Sequence, residues 1–211
     1  ETYYKILVPE KNSKGKGVRK GYLWVVVGIN TRMIYLLYDD GSRSEKVILN
    51  ELGGCKGIIQ SDGYSPYRKL ESDAYPHITR IPCLQHIKRK FIDCGEDEPD
   101  AKRIVELINT LYQNEHKHKI GVDGWTVEQN LVHRKKYAPD ILGEIKDVLD
   151  DIEERGDLLP KSELKEAVTY LRNEWNAVVD IFNYGDTYLD NNIVERMNRY
   201  ISLSRKNSLF F

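Results

Sequence analysis

Glu195 stands in the run Asp190-Asn191-Asn192-Ile193-Val194-Glu195-Arg196, which continues through Met197-Asn198-Arg199 to Arg205-Lys206-Asn207. Ile193, Met197, Tyr200 and Ile201 recur at helical spacing and predict an apolar face. Glu195, Arg199, Ser202 and Lys206 fall on a different, polar face. A carboxylate among cations on the exposed side of a docked helix suits a metal ion beside a phosphate backbone. The same residues suit a structural role. Asn192 and Glu195 have capping-box spacing, and Glu195 with Arg199 is an i,i+4 ion pair. Both roles stay open on this stretch alone.

Asp62 follows a short apolar strand, Gly57-Ile58-Ile59-Gln60, and precedes Gly63. Asp-Gly after a strand often marks only a turn. A carboxylate at the C-terminal end of a strand in an open α/β sheet also lies where ligands collect, and Gly63 leaves room beside it. Cys83 and His86 are metal-ligand types three residues apart. Zinc needs about four ligands, and Cys94, His116 and His118 offer further donors only at irregular spacing. A packed Cys at a strand end and a His at a helix start is the expectation, without zinc. Lys88, Arg89 and Lys90 beside Phe91 suit either phosphate contacts or an exposed helix face. Tyr64 and Tyr67 could stack on bases or belong to the packing.

The elements that must position these residues can be read in order. Thr2 to Val8 reads as a strand, Pro9 to Lys20 as a polar loop, and Leu23-Trp24-Val25-Val26-Val27 as a central strand covered on both faces. Met33 to Tyr38 is a third, antiparallel strand. Ser44 to Leu52 is helical and ends at Gly53-Gly54. The strand ending before Asp62 should join the sheet in parallel after a crossover. Ser65 to Ser72 can hold a short helix, His77 to Cys83 is a fifth strand, and His86 to Phe91 opens a helix. After Cys94 no strand signal remains. Pro99 can start a helix, and Ile104, Leu107, Ile108, Leu111 and Tyr112 follow at helical spacing. Asn114 to Gly124 is a His- and Lys-rich connection. Thr126 to Tyr137 is helical, Pro139 is expected to break it, and Ile141 to Ile152 forms a further helix ended by Gly156. Ser162 caps the longest apolar stripe, Leu164 to Phe182, and Gly185 ends that helix.

The 211 residues carry 32 basic and 33 acidic side chains, a net charge of −1, so bulk electrostatics gives no argument for nucleic acid. The charge is uneven: Lys11, Lys14, Lys16, Arg19 and Lys20 form a basic run, and Asp93, Glu96, Asp97, Glu98 and Asp100 an acidic one. Three cysteines make no disulfide framework and fit a reducing, cytoplasmic setting. Neither a membrane span nor a signal peptide is visible. The chain starts inside a strand pattern and stops at Leu209-Phe210-Phe211, so both ends are expected to continue in something longer.

With these residues laid out, the chain resembles the DDE catalytic domain of the bacterial insertion-sequence family sixty-six transposases. Glu1-Thr2 is similar to the tail of the family's Asp-Glu-Thr motif, and Gly21-Tyr22-Leu23-Trp24-Val25 to its Gly-Tyr-x-Trp-Val strand. Gln60-Ser61-Asp62-Gly63-Tyr64 resembles its second-Asp motif. Cys83-Leu84-Gln85-His86-Ile87-Lys88-Arg89-Lys90-Phe91 resembles its Cys-x-x-His with basic residues and Phe. Asp190 to Arg196 resembles its Asp-Asn-Asn-x-x-Glu-Arg block, and Arg205-Lys206-Asn207-Ser208-Leu209-Phe210 its ending. The six occur in order along most of the chain.

The resemblance implies an α/β fold. Residues 1–94 and 158–211 would form an RNase H-like domain with a mixed five-stranded sheet and flanking helices. Residues 95–157 would form an all-helical insertion. It makes Asp62 and Glu195 the catalytic, metal-binding carboxylates, supported by His86 and Asn192. The first Asp would immediately precede Glu1, so this chain alone is expected to be inactive. Two Mg²⁺ ions, replaceable by Mn²⁺, would serve cleavage and strand transfer of DNA. Lys88, Arg89, Arg196, Arg199, Arg205 and Lys206 would contact the backbone of transposon ends and target DNA. A homo-oligomer on DNA and a nucleoid-associated, bacterial location follow from the same resemblance. The rivals are a catalytically dead remnant acting as a DNA-binding or assembly module, and an RNase H-like nuclease.

Overall fold

The computed structural model describes residues 2–7 and 17–207, the side chains of residues 4, 5, 7 and 204–207 excepted. Its strands are β1 (Thr2–Leu7), β2 (Val18–Gly28), β3 (Met33–Leu37), β4 (Gly57–Ser61) and β5 (Ile78–Pro82). Its helices are α1 (Glu45–Leu52), α2 (Ser65–Arg68), α3 (Leu84–Ile92), α4 (Pro99–Glu115), α5 (Val127–Arg155), α6 (Glu163–Ile181) and α7 (Asn192–Asn207). Packing divides the chain into two units, Glu1–Cys55 with Asn191–Phe211, and Lys56–Asp190.

In the first unit β1, β2 and β3 form an antiparallel sheet in that order, Thr2 facing Leu23 and Gly28 facing Met33. Trp24 is its buried anchor, and its indole N–H donates to Ser42 O at 3.1 Å. Val47, Ile48 and Leu52 are the buried face of α1, which Ser44 caps by accepting from Lys46 N–H. α7 packs on β1 and β2, with Thr2 Oγ1 3.3 Å from Ser202 Oγ. The expectation of a strand covered on both faces does not hold. Only Gly21 and Trp24 of β2 are buried, and Met33 to Leu36 of β3 are all exposed, as at a sheet edge. β2 also starts at Val18, earlier than Gly21, because Leu7 to Thr2 pair with Val18 to Leu23.

In the second unit β4 and β5 form a separate parallel pair, Gly57 opposite Ile78 and Ser61 opposite Pro82. The strands therefore form two ladders, and no ladder joins β1 to β4 among the described residues. Within β4 burial grows toward Ser61. The core of this unit runs through Ile81, Leu84, Ile87, Phe91, Ile104, Leu111, Ile145, Leu149, Leu171 and Ile181. α4 and α5, which fill residues 95–157 without a strand, share this core with α3 and α6.

Pro139 does not break the chain into two helices. α5 is continuous over 29 residues from Thr126, which with Gln129 forms a capping box, to Gly156 at φ +64°. Pro139 lies on the exposed face beside buried Ala138, Ile141 and Leu142. On that face water can serve the carbonyl that loses its donor, so packing of the opposite face carries the helix through. α6 is capped by Ser162, whose Oγ accepts from Lys165 N–H, and it ends at Ile181 before Gly185 is reached. No helix among the described residues is long and apolar enough to cross a membrane.

Candidate functional site

Asp62 lies at the C-terminal end of β4, half-buried. Its Oδ1 accepts from Tyr64 N–H at 3.1 Å, which ties the side chain into an Asx turn. Ser61 Oγ–H donates to Asp62 O at 2.9 Å. Gly63 N–H donates to the Tyr170 hydroxyl of α6 at 2.9 Å. A Cβ at position 63 would stand 2.2 Å from that hydroxyl, so only Gly permits the approach. Two residues before Asp62, Gln60 Nε2 donates to Pro82 O at 3.1 Å and to Tyr188 O at 2.7 Å. Leu84 N–H donates to Leu189 O at 2.9 Å. These bonds hold the segment ending at Asp190 against β4 and the start of α3.

Glu195 is half-buried in the first turn of α7. Its N–H donates to Asn191 O at 3.2 Å. α7 begins at Asn192, which makes Glu195 its fourth residue. The faces differ from the expected ones. Asn192, Arg196, Arg199, Tyr200 and Leu203 are the exposed stripe, whereas Ser202 lies toward β1 and Glu195 on the half-buried flank. Tyr200, expected on the apolar face, is 67% exposed, because the helix rests on β1 and β2 through its Ile201–Ser202 side.

The cations fall into two sets. Lys88 is half-buried and Arg89 exposed on α3, with Lys90 Nζ 5.9 Å from the Tyr170 ring centre. Arg196 and Arg199 share the exposed stripe of α7. The side chains of Arg205 and Lys206, with Glu1, Lys11, Lys14, Lys16 and residues 208–211, lie outside the described residues. Cys83 is buried at the head of α3, and His86 N–H donates to Cys83 O at 3.1 Å. No cluster of three or more His, Cys, Asp or Glu suited to a metal occurs among the described residues.

The sequence profile of the Transposase IS66 family matches residues 1–211, the whole chain. The chain belongs to this transposase family. Two curated relatives from Sinorhizobium fredii match it. The uncharacterized protein y4jD is 30% identical over 176 residues, 80% of this chain and 33% of y4jD. The uncharacterized protein y4qI is 27% identical over 206 residues, 90% of this chain and 37% of y4qI. The chain thus spans about a third of the length of these relatives. No solved structure matches it.

In this member of the Transposase IS66 family, a buried ionic group backs the Asp62 turn, and sequence reasoning missed it. Arg80 of β5 is 2% exposed and donates to Glu71, to Glu174 of α6 and, at 3.5 Å, to Ser61 Oγ. Glu174 is 1% exposed, with Arg68 Nε 3.8 Å from its carboxylate. The signal was present: Glu174 interrupts the apolar stripe at a core position, three residues after Leu171, and Arg80 lies inside β5, two residues after Ile78 and next to Ile81. A buried charge at such a place needs a partner.

The cysteines differ in reactivity for physical reasons. Burial, then the nearby charges of Glu163, Glu98 and Asp93, pushes the Cys94 thiol up, and its Sγ lies 3.3 Å from Lys90 O. Cys55 is exposed and Cys83 buried. At pH 7.5 a maleimide is expected to label Cys55 first and Cys94 more slowly, with Cys83 reacting only after denaturation. Time-resolved mass spectrometry checks the order, and equal rates at Cys55 and Cys94 would contradict it.

Proposed function

We propose that this chain is the catalytic region of a DNA transposase in which Asp62 and Glu195 bind the metal ions for phosphodiester cleavage and strand transfer. The observation that carries the reading is the Gln60 bridge. Its amide bonds to Tyr188 O and Pro82 O, so the stretch that opens the Asp190-Asn191-Asn192 motif begins beside the strand that ends at Asp62. Asp62 lies 133 positions before Glu195 in the chain, and this bridge supports a route by which they serve one site. The finer fold proposed is RNase H-like, with β4 completing the three-stranded sheet beside β1 and residues 95–157 as its helical insertion.

The donors fit Mg²⁺. It takes carboxylate oxygens, substrate phosphate and water rather than a full protein cage, so Asp62 and Glu195 would be two of its ligands. Asp62 offers Oδ2 from a turn already held by Tyr64 N–H, and Glu195 offers its carboxylate from a docked helix. Bound Mg²⁺ or Mn²⁺ would supply Lewis-acid stabilisation of the attacking and leaving oxygens. Lys88, Arg89, Arg196 and Arg199 would hold DNA phosphates, positioning the duplex without reading its sequence. The DNA partners are the transposon ends and the target, engaged by a homo-oligomer at the bacterial nucleoid. Strand cleavage by the longer protein on DNA carrying the element ends, with Mg²⁺ or Mn²⁺, tests the reading. Cleavage lost on substitution of Asp62 or Glu195 supports it. An inactive longer protein that still binds the ends would favour a non-catalytic assembly module.

A further inference from the structure

We infer that Tyr170 is a positioning residue for Asp62, setting the carboxylate through the Gly63 peptide; this rests on the proposed metal role of Asp62. Asp62 is gripped from α6 on both sides. On one side, Glu174 holds Arg80, which reaches Ser61 Oγ at 3.5 Å. On the other, the Tyr170 hydroxyl accepts Gly63 N–H at 2.9 Å. Tyr170 and Glu174 are four residues apart and so share one face of α6. The grip is close enough that a Cβ on Gly63 would overlap the Tyr170 hydroxyl at 2.2 Å. With Tyr64 N–H taken by Asp62 Oδ1, both amides that follow Asp62 are engaged. The peptide between Asp62 and Gly63 then has little freedom to rotate, which fixes where Oδ2 points.

The hydroxyl suits this task. Burial, then the charge of Glu174, pushes Tyr170 up to about 12, so it stays a neutral O–H across the working pH range. A neutral hydroxyl accepts one N–H while bringing no negative charge beside a carboxylate that must receive cations. The difference between a packing ring and a positioning hydroxyl is testable, because Phe keeps the ring and removes only the oxygen.

The experiment uses Tyr170→Phe in the longer transposase, with Asp62→Asn beside it. Tyr170→Phe is expected to keep the wild-type thermal midpoint and to lower Mg²⁺-dependent cleavage about tenfold to a hundredfold, the cost of a small misplacement. The half-saturating Mg²⁺ concentration should rise, and Mn²⁺ should restore part of the rate. Hydrogen exchange of the Gly63 amide in the 211-residue chain should accelerate. Wild-type cleavage and metal dependence in Tyr170→Phe, with Asp62→Asn inactive, would overturn the positioning role alone. Unchanged Gly63 exchange would overturn it whatever the activity. Full cleavage by Asp62→Asn would instead remove the metal role of Asp62, and a parent inactive in both metals would remove both.

Discussion

Asp62→Asn and Glu195→Gln are each expected to lower strand cleavage by the longer transposase by about a thousandfold or more, because residues acting as a unit lose most of the rate when one is removed. Each substitution keeps size and shape and removes one negative charge from the proposed cation site. Asp62→Asn can still accept Tyr64 N–H through its amide oxygen, so the turn and the fold should survive. Glu195 is half-buried in the first turn of α7, and Gln keeps its size there, so the helix should survive. The double variant should be no worse than either single one if both residues serve the one proposed site. DNA binding should persist in all three, and it should weaken with salt through Lys88, Arg89, Arg196 and Arg199. Cleavage assays over a range of Mg²⁺ with parallel binding measurements check this. Rates within about tenfold of wild type in either variant would mean that other residues hold the metals.

Arg134→Met is expected to cost about 3–5 kcal/mol of stability, the usual cost of stranding one partner of a buried ion pair. Arg134 is fully buried on α5. Its Nε donates to Glu115 Oε2 at 3.0 Å, and a second donor reaches Glu115 Oε1. It also donates to Thr187 Oγ1 at 2.6 Å, Thr187 O at 2.7 Å, Tyr184 O at 2.5 Å and Ile181 O at 3.2 Å. One guanidinium thus stitches α4 and α5 to the segment that leads to Asp190. Asn130 Nδ2 adds a bond to Gly185 O at 2.8 Å.

The pH dependence follows from Glu115. Burial raises its carboxyl, but the hydrogen bonds and charge of Arg134, with the Tyr137 hydroxyl, outweigh burial and leave it below its ordinary value. A depressed carboxyl contributes stability that is present above its unfolded value, about 4.3, and is lost as pH falls through the lower folded value. In Arg134→Met burial acts nearly unopposed, so the carboxyl rises, and acidification should narrow the gap to wild type. Urea unfolding at pH 7 and pH 4 measures both effects. A loss under about 1 kcal/mol at pH 7 would show the network to be dispensable.

Much of the helical frame was legible because its signals are local. Ser162 and Thr126 cap the helices they should, and Gly156 ends α5 at positive φ. The Gly57–Gln60 strand and the turn at Asp62 were equally plain. What escaped depends on distant partners. Pro139 reads as a breaker until the buried positions on its other side are known. The faces of α7 were set by β1 and β2, which no periodicity within residues 192–207 specifies. Tyr170, Arg80 and Gln60 act on the Asp62 turn through bonds that span from 19 to 128 residues.

The most direct test of the shared metal site is anomalous diffraction from Mn²⁺-soaked crystals of the longer transposase bound to DNA carrying its element ends. The expected result is Mn²⁺ bonded to Asp62 Oδ2 and Mn²⁺ bonded to the Glu195 carboxylate, in one site with a DNA phosphate. Mn²⁺ bound elsewhere, or Asp62 and Glu195 in separate places with no metal between them, would contradict it.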